Sequence, residues 1–164
     1  MSKEYSIIVR INEQRLYLFC GEQLTKSYVI STSCFGVGSQ SGSNKTPLGK
    51  HLICAKIGHN KPIGANFKSR RFTGKIIPIL QNKPKTECDG DFITTRILRL
   101  KGMEDGINKG KGIDSYERYV YIHGTPREYS IGTPISHGCV CMKNRDIIEL
   151  FNTVKRGTLV DIKL

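Results

Sequence analysis

Ser136-His137-Gly138-Cys139-Val140-Cys141 follows closely on Tyr121-Ile122-His123-Gly124, so two imidazoles and two thiols fall within one short, glycine-containing stretch. A thiol attacks a carbonyl as its thiolate, and an ordinary one is only a few per cent ionised at neutral pH. A histidine that accepts its proton raises that fraction. Gly138, directly before Cys139, lets a substrate or a second backbone approach the sulfur closely. It also makes it easier to aim backbone N–H groups at a developing oxyanion. Two bases are available. His137 lies two residues before Cys139, and in an extended chain the two would share a face. His123 ends the preceding apolar stretch, and strand pairing would bring it across. Spacing alone does not choose between them.

Other chemistries fit by residue type. A zinc site from His123, His137, Cys139 and Cys141 lacks the usual knuckle spacing. A Cys139–Cys141 disulfide would join residues whose side chains are poorly aimed at each other in a strand. A chance structural neighbourhood of Cys and His is the plainest alternative. A thiol acyl transferase leads on the chemistry.

The surrounding elements must position these groups. Tyr5, Ile7, Val9 and Ile11 alternate along YSIIVRI, and Leu16, Leu18 and Cys20 alternate along RLYLFC. With LTKSYVIST they read as a β-meander with turns at Asn12–Gln14 and Gly21–Glu22. Residues 36–50 are a surface loop by composition and a candidate border of a site. HLICAKI and ITTRILRL read as strands, residues 58–91 as irregular chain containing the basic cluster KSRRF, and 101–114 as a polar loop. ERYVYIH (117–123) is β-branched and aromatic, a strand. One helix is expected over about 144–155, where Ile147, Leu150, Phe151 and Val154 recur at helical spacing. Asn144 suits its N-cap, and Gly157 a left-handed stop. TLVDI closes the chain as a strand. The expected fold is β-rich, and 164 residues form one domain.

Lys plus Arg total 26 against 14 acids, a net charge of +12, which favours acidic or polyanionic partners. MSKEYSII has no signal-peptide apolar run. With Met1 as the natural start the expected place is the cytoplasm; a removed leader would put the protein in the periplasm or wall. No stretch has the roughly 20 apolar residues of a membrane span. The six cysteines form no CxxC pair and are expected mostly as buried thiols.

IHGT, SIG, SHGCV-x-M, N-x-D before a helix, and GT-x-V-x-I resemble, in this order, the signature of the L,D-transpeptidase (YkuD) catalytic domain family. TPLGKHLI upstream is similar to that family's TPxGxF strand entry. The resemblance covers nearly the whole chain. It implies packed, mixed or antiparallel sheets, β-sandwich-like, with no cofactor. It implies cleavage of the diaminopimelate–D-Ala bond of a peptidoglycan tetrapeptide stem through a cysteine thioester. Attack by a second stem then gives a 3→3 cross-link, and attack by water gives L,D-carboxypeptidase action, suited to soluble muropeptides in recycling. Carbapenem-type inhibitors follow as ligands. Residue by residue, Cys139 is the nucleophile, His123 the base, and Gly124 the carbonyl that orients its ring. Ser136, His137 and Gly138 shape the site and the oxyanion region. Cys141 stands where the family commonly has Arg or Asn, so Arg96 and Arg127 become candidates, by charge, for a substrate carboxylate. Tyr121 is a candidate wall residue. A basic nucleic-acid-binding domain and a catalytically degenerate wall-binding domain are the alternatives. The first has the charge and KSRRF in its favour but no recognised motif, so no nucleic acid is expected.

Overall fold

In the computed structural model, which describes residues 2–86 and 91–164, the apolar alternation of the N-terminal stretch becomes three antiparallel strands: β1 (Tyr5–Arg10), β2 (Arg15–Cys20) and β3 (Gln23–Ser31). The chain continues through β4 (Gly49–Ile57), β5 (Ala65–Lys68), β6 (Arg71–Ile76), β7 (Ile93–Gly102), β8 (Tyr121–Gly124), β9 (Val140–Met142), α1 (Asn144–Thr153) and β10 (Leu159–Lys163). The strands form one sheet in the order β4-β10-β1-β2-β3-β9-β8-β7-β5-β6, and β4 also pairs with β7. The sheet therefore closes on itself, with the β5–β6 hairpin appended to β7. Pairing is antiparallel except for β1–β10 and β8–β9. This is the mixed, sandwich-like β architecture expected. Among the described residues no helix is long and apolar enough to cross a membrane.

Side chains alternate across a strand, so the sheet has two unlike faces. Ile7, Val9, Leu16, Leu18, Leu98, Leu100, Ile122, Val140 and Met142 point inward and pack with Ile147, Leu150 and Phe151 of α1. The opposite parity of β7 and β8 builds a second, smaller cluster in which Ile97 and Tyr121 meet Ala65 and Phe67 of β5 and, at its margin, Cys139. The outer cluster is where the chemistry gathers.

Several local expectations are corrected. Asn144 is the first helical residue, and Lys143 occupies the N-cap. The helix stops at Thr153, short of 155, and Lys56 from β4 donates to its terminal carbonyls, Phe151 O at 2.6 Å and Val154 O at 2.7 Å. The expected strand over 117–123 begins only at Tyr121, because Tyr119 takes a left-handed φ of 56°. Residues 58–91 contain the β5–β6 hairpin and are not wholly irregular; Glu87 to Gly90 of that stretch lie outside the described residues. Of the five described cysteines, all free, only Cys141 is buried; Cys34 is exposed, and Cys88 lies outside the described residues.

Candidate active site

Parallel pairing of β8 with β9 places His123 opposite Cys141 and Ile122 opposite Val140. Ile122 and Val140 face the inner core, so His123, Tyr121, Cys141 and Cys139 share the outer face. The strand pairing thus brings both thiols and the upstream imidazole together.

His123 is buried, with 2% exposure. Its Nδ1–H donates to Gly124 O at 2.7 Å. A carbonyl only accepts, so this bond fixes the proton on Nδ1 and leaves the lone pair on Nε2. Nε2 faces the Cys141 sulfur at 3.9 Å. Burial holds the imidazole pKa below its usual value, partly opposed by the Gly124 bond and the charge of Asp91. The ring is a neutral acceptor aimed across the sheet face.

Gly124 has no room for a side chain. A Cβ there would lie 2.5 Å from Thr94 O and 2.7 Å from Asn144 Oδ1. Asn144 ties this corner together. Its Oδ1 accepts from the Thr94 and Thr95 hydroxyls, and its Nδ2 donates to Thr125 O and Glu128 Oε2. The carbonyl that sets the His123 tautomer is therefore held by a buried polar knot at the start of α1.

Cys139 sits one step nearer the rim and is partly exposed, whereas Cys141 is 2% exposed. The Tyr121 N–H donates to the Cys139 sulfur at 3.4 Å, and the thiol donates to Tyr119 O at 3.6 Å. Among the described residues no hydrogen bond joins it to His123 or His137. Desolvation pushes the Cys139 thiol up to about 12, opposed by the Tyr121 N–H and the Arg118 charge and reinforced by Asp91. Cys141 is raised as well, chiefly by burial, with Cys139 and Asp91 adding and Arg127 opposing.

The turn before Cys139 is held by side-chain bonds. Ser136 Oγ donates to Cys139 O at 2.6 Å and accepts the Gly138 N–H at 3.2 Å. Gly138 has φ +124°, which an L side chain rarely adopts. Thr46, from the 36–50 loop, donates to Gly138 O at 3.1 Å. Arg118 clamps the same loop through Gly38 O at 3.2 Å and Lys45 O at 2.6 Å. The loop does border the site. The Gly138 N–H, one of the two expected at an oxyanion, is already engaged by Ser136.

His137 lies in the bend before β9, where Gly138 has φ +124°, and not in an extended segment. Its Nδ1 pairs with Asp91 Oδ2 at 2.9 Å and its ring tilts against Phe35, 5.7 Å between centroids. Arg96 is not in the cleft. It has the parity of Leu98 and Leu100, donates to Lys61 O and Thr95 O, and lies 5.5 Å over the Phe151 ring on the helix side. Its guanidinium is engaged by backbone carbonyls on that side of the sheet. The Arg127 charge reaches Cys141. Tyr121 is a wall residue, 4% exposed, whose hydroxyl accepts from Arg70 at 3.1 Å. Arg118 and Arg70 were not among the site residues the sequence offered.

A closed β sheet that sets a rim thiol and a buried, carbonyl-oriented imidazole on adjoining parallel strands defines a Cys–His site on a β domain. The model of the YkuD family, the L,D-transpeptidase catalytic domain, matches residues 4–162, and the chain belongs to that family. Two curated relatives described as putative L,D-transpeptidase YkuD, from Bacillus licheniformis and Bacillus subtilis, are each 51% identical over 89 residues. The matched segment covers 54% of this chain and 52% of each relative, so it spans about half their length. Among solved structures, L,D-transpeptidase 3 from Mycobacterium tuberculosis with a faropenem-derived adduct matches at TM-score 0.61 and 13% identity, over 99% of this chain and 61% of that one. An L,D-transpeptidase from Mycobacterium smegmatis matches at TM-score 0.57 and 16% identity, over 99% and 60%. At those identities the likeness is one of fold.

Proposed function

We propose that this domain is a cysteine acyl transferase acting on peptidoglycan tetrapeptide stems. The observation that carries the reading is the His123 ring, held by Gly124 O with the lone pair of Nε2 on the face that Cys141 and Cys139 share. His123 Nε2 takes the Cys139 proton as the sulfur attacks the carbonyl between diaminopimelate and D-Ala. The oxyanion is met by the Cys139 N–H. The C–N bond then breaks, the imidazolium returns its proton to the departing D-Ala amine, and a thioester remains. An amine of a second stem or a water molecule attacks the thioester and frees Cys139. The first fate gives a 3→3 cross-link and the second a tripeptide.

The family membership supports the thioester, and the exposure difference between Cys139 and Cys141 supports the choice of sulfur. The family membership disfavours the basic-domain alternative. Incubation with a disaccharide tetrapeptide, read by mass spectrometry, tests the reading. A transient acyl mass on the peptide containing Cys139 is expected, with tripeptide or 3→3 dimer as product. Cys139→Ala should abolish turnover, and Cys141→Ala should retain it. Turnover that survives Cys139→Ala and disappears in Cys141→Ala would overturn the assignment of the nucleophile.

A further inference from the structure

Left-handed backbone at three non-glycine residues brings the β5–β6 turn and Tyr119 together. Ser69 and Arg70 (φ 49° and 63°) form the two-residue turn between the paired Lys68 and Arg71, and Tyr119 has φ 56°. Such a turn ordinarily takes Asn or Gly, and an L residue there costs about 1–2 kcal/mol. Strain of this kind persists where the surroundings enforce it and clusters at ligand sites. Here its effect is to aim side chains. The Arg70 guanidinium donates to Tyr121 OH at 3.1 Å and lies 4.8 Å over the Tyr119 ring. Arg99 reaches the same ring at 5.2 Å and stacks on Tyr116 at 3.7 Å. Arg99 has the parity of Ile97, so it stands on the face that carries Tyr121 and Cys139.

Both guanidiniums have donors to spare. Each makes one hydrogen bond among the described residues, to Tyr121 OH for Arg70 and to Tyr116 O for Arg99. The Arg99 Nε is buried with no partner. Among the described residues neither arginine pairs with a carboxylate. Arg99 also lines a cavity of about 270 Å³ with Lys101, Tyr116, Cys54 and Ala55. The acids nearby are occupied: Asp91 pairs with His137, and Asp114 accepts the N–H groups of Gly110 and Glu117. Arg118, beside Cys139, is spent on loop carbonyls.

We infer that Arg70 and Arg99, set around Tyr119, form a subsite for the free α-carboxylate of the residue that leaves in the acyl-transfer step. The inference rests on the function proposed above. Arg70 bonds the hydroxyl end of Tyr121 and the Cys139 sulfur accepts from its N–H end, so cation and nucleophile sit at the two ends of one residue. A substrate presents the carbonyl under attack and the carboxylate of the next residue in the same order. A guanidinium fork fits a carboxylate by geometry as well as charge. The subsite therefore selects a stem ending one residue past the scissile bond.

The test is equilibrium binding, by calorimetry, to the Cys139→Ala protein, so that no turnover is needed. Three ligands are compared: the tetrapeptide stem, its C-terminal amide, and the tetrapeptide amidated only on the diaminopimelate side-chain carboxyl. The free acid should bind about tenfold more tightly than the C-terminal amide, the size expected for a partly exposed charge-assisted pair. Side-chain amidation should change little. Adding Arg70→Gln or Arg99→Gln should shrink the acid-to-amide ratio towards one, and Arg70→Lys should restore part of it. An unchanged ratio in both Gln variants, equal binding of acid and C-terminal amide, no measurable binding of the acid, or sensitivity to the side-chain amide instead would each overturn the subsite. Loss of the acyl-transfer reading would look different: the unsubstituted protein would fail to turn over the tetrapeptide while acid and amide were still discriminated.

Discussion

Cys139 should rest as a protonated thiol beside a neutral imidazole, not as a thiolate–imidazolium pair. Two shifts act in the same direction. Desolvation takes the thiol from its ordinary 9.0 up to about 12, and burial takes His123 below its ordinary 6.5. A shift of three units lowers the thiolate population at pH 7 by about a thousandfold. The sulfur's own contacts agree, since it donates to Tyr119 O while accepting only one N–H. The direct assay is alkylation of Cys139 by iodoacetamide, followed by mass spectrometry across pH 6–10 and set against a small free thiol. The expected rate at pH 7 is about one to two orders of magnitude below the free thiol, because the more basic thiolate is also the more nucleophilic and offsets part of its scarcity. It should climb about tenfold per pH unit with no plateau to pH 10. A plateau near pH 6–7, with fast alkylation below it, would refute the reasoning. That outcome would mean a preformed ion pair, and proton transfer would not be coupled to attack.

Gly124→Ala should lose at least about 2 kcal/mol in urea unfolding, because its Cβ would meet the Thr94 carbonyl, which cannot swing away; whatever folds should turn over stems at under a tenth of the original rate, since the carbonyl that fixes His123 moves with it. Asn144→Ala should cost ~2–4 kcal/mol by leaving the Thr94, Thr95 and Glu128 groups without their shared partner, read as a lower urea midpoint with an unchanged slope. His51 is buried and neutral, its pKa lowered by desolvation, with Nδ1–H on Gly49 O and Nε2 accepting from Ser115. Below pH 6.5 the unfolded chain takes a proton that the folded chain refuses at His51 and His123, so stability should fall from pH 7 to pH 5, by at most ~1.4 kcal/mol per pH unit for each histidine; His51→Gln should flatten that slope in pH-resolved melts. Lys56→Met should lower stability by ~1–3 kcal/mol, because two helix-end carbonyls lose their donor.

Legibility in the sequence followed alternation. The meander, β7 and the body of α1 each carry an apolar period that nothing local contradicts. The failures have one physical form: a side chain or backbone is used in a way only tertiary contacts demand. Asn144 has the right chemistry for an N-cap, yet its amide is spent on the knot around Gly124 and Glu128. The β5–β6 turn was invisible because Ser69 and Arg70 replace the glycine or asparagine that ordinarily announces it. Tyr119 reads as strand by type but leaves the strand to offer its carbonyl to Cys139. Arg96 was a candidate by charge alone, although its parity with Leu98 and Leu100 already assigned it inward. Arg70 reads from the sequence only as part of a basic cluster, since nothing ties a hairpin tip to a strand some fifty residues on, where Tyr121 sits.

Parity also accounts for Cys141. An arginine at that position would point at His123 in a place with 2% exposure and would need an acid or several carbonyls around it. A cysteine there asks for none of these, and its thiol lies against Nε2 without a charge to desolvate. Positive potential reaches the sulfurs from loops instead, from Arg118 at Cys139 and from Arg127 at Cys141. The cation that a strand residue would supply from beneath the nucleophile is thus supplied from its rim. The expected consequence is measurable: Arg118→Gln should raise the Cys139 thiol further and slow its alkylation at pH 8, whereas Cys141→Ala should leave that rate within about threefold. A fast, unaltered Arg118→Gln protein would show that the loop cations act on the fold and not on the sulfur.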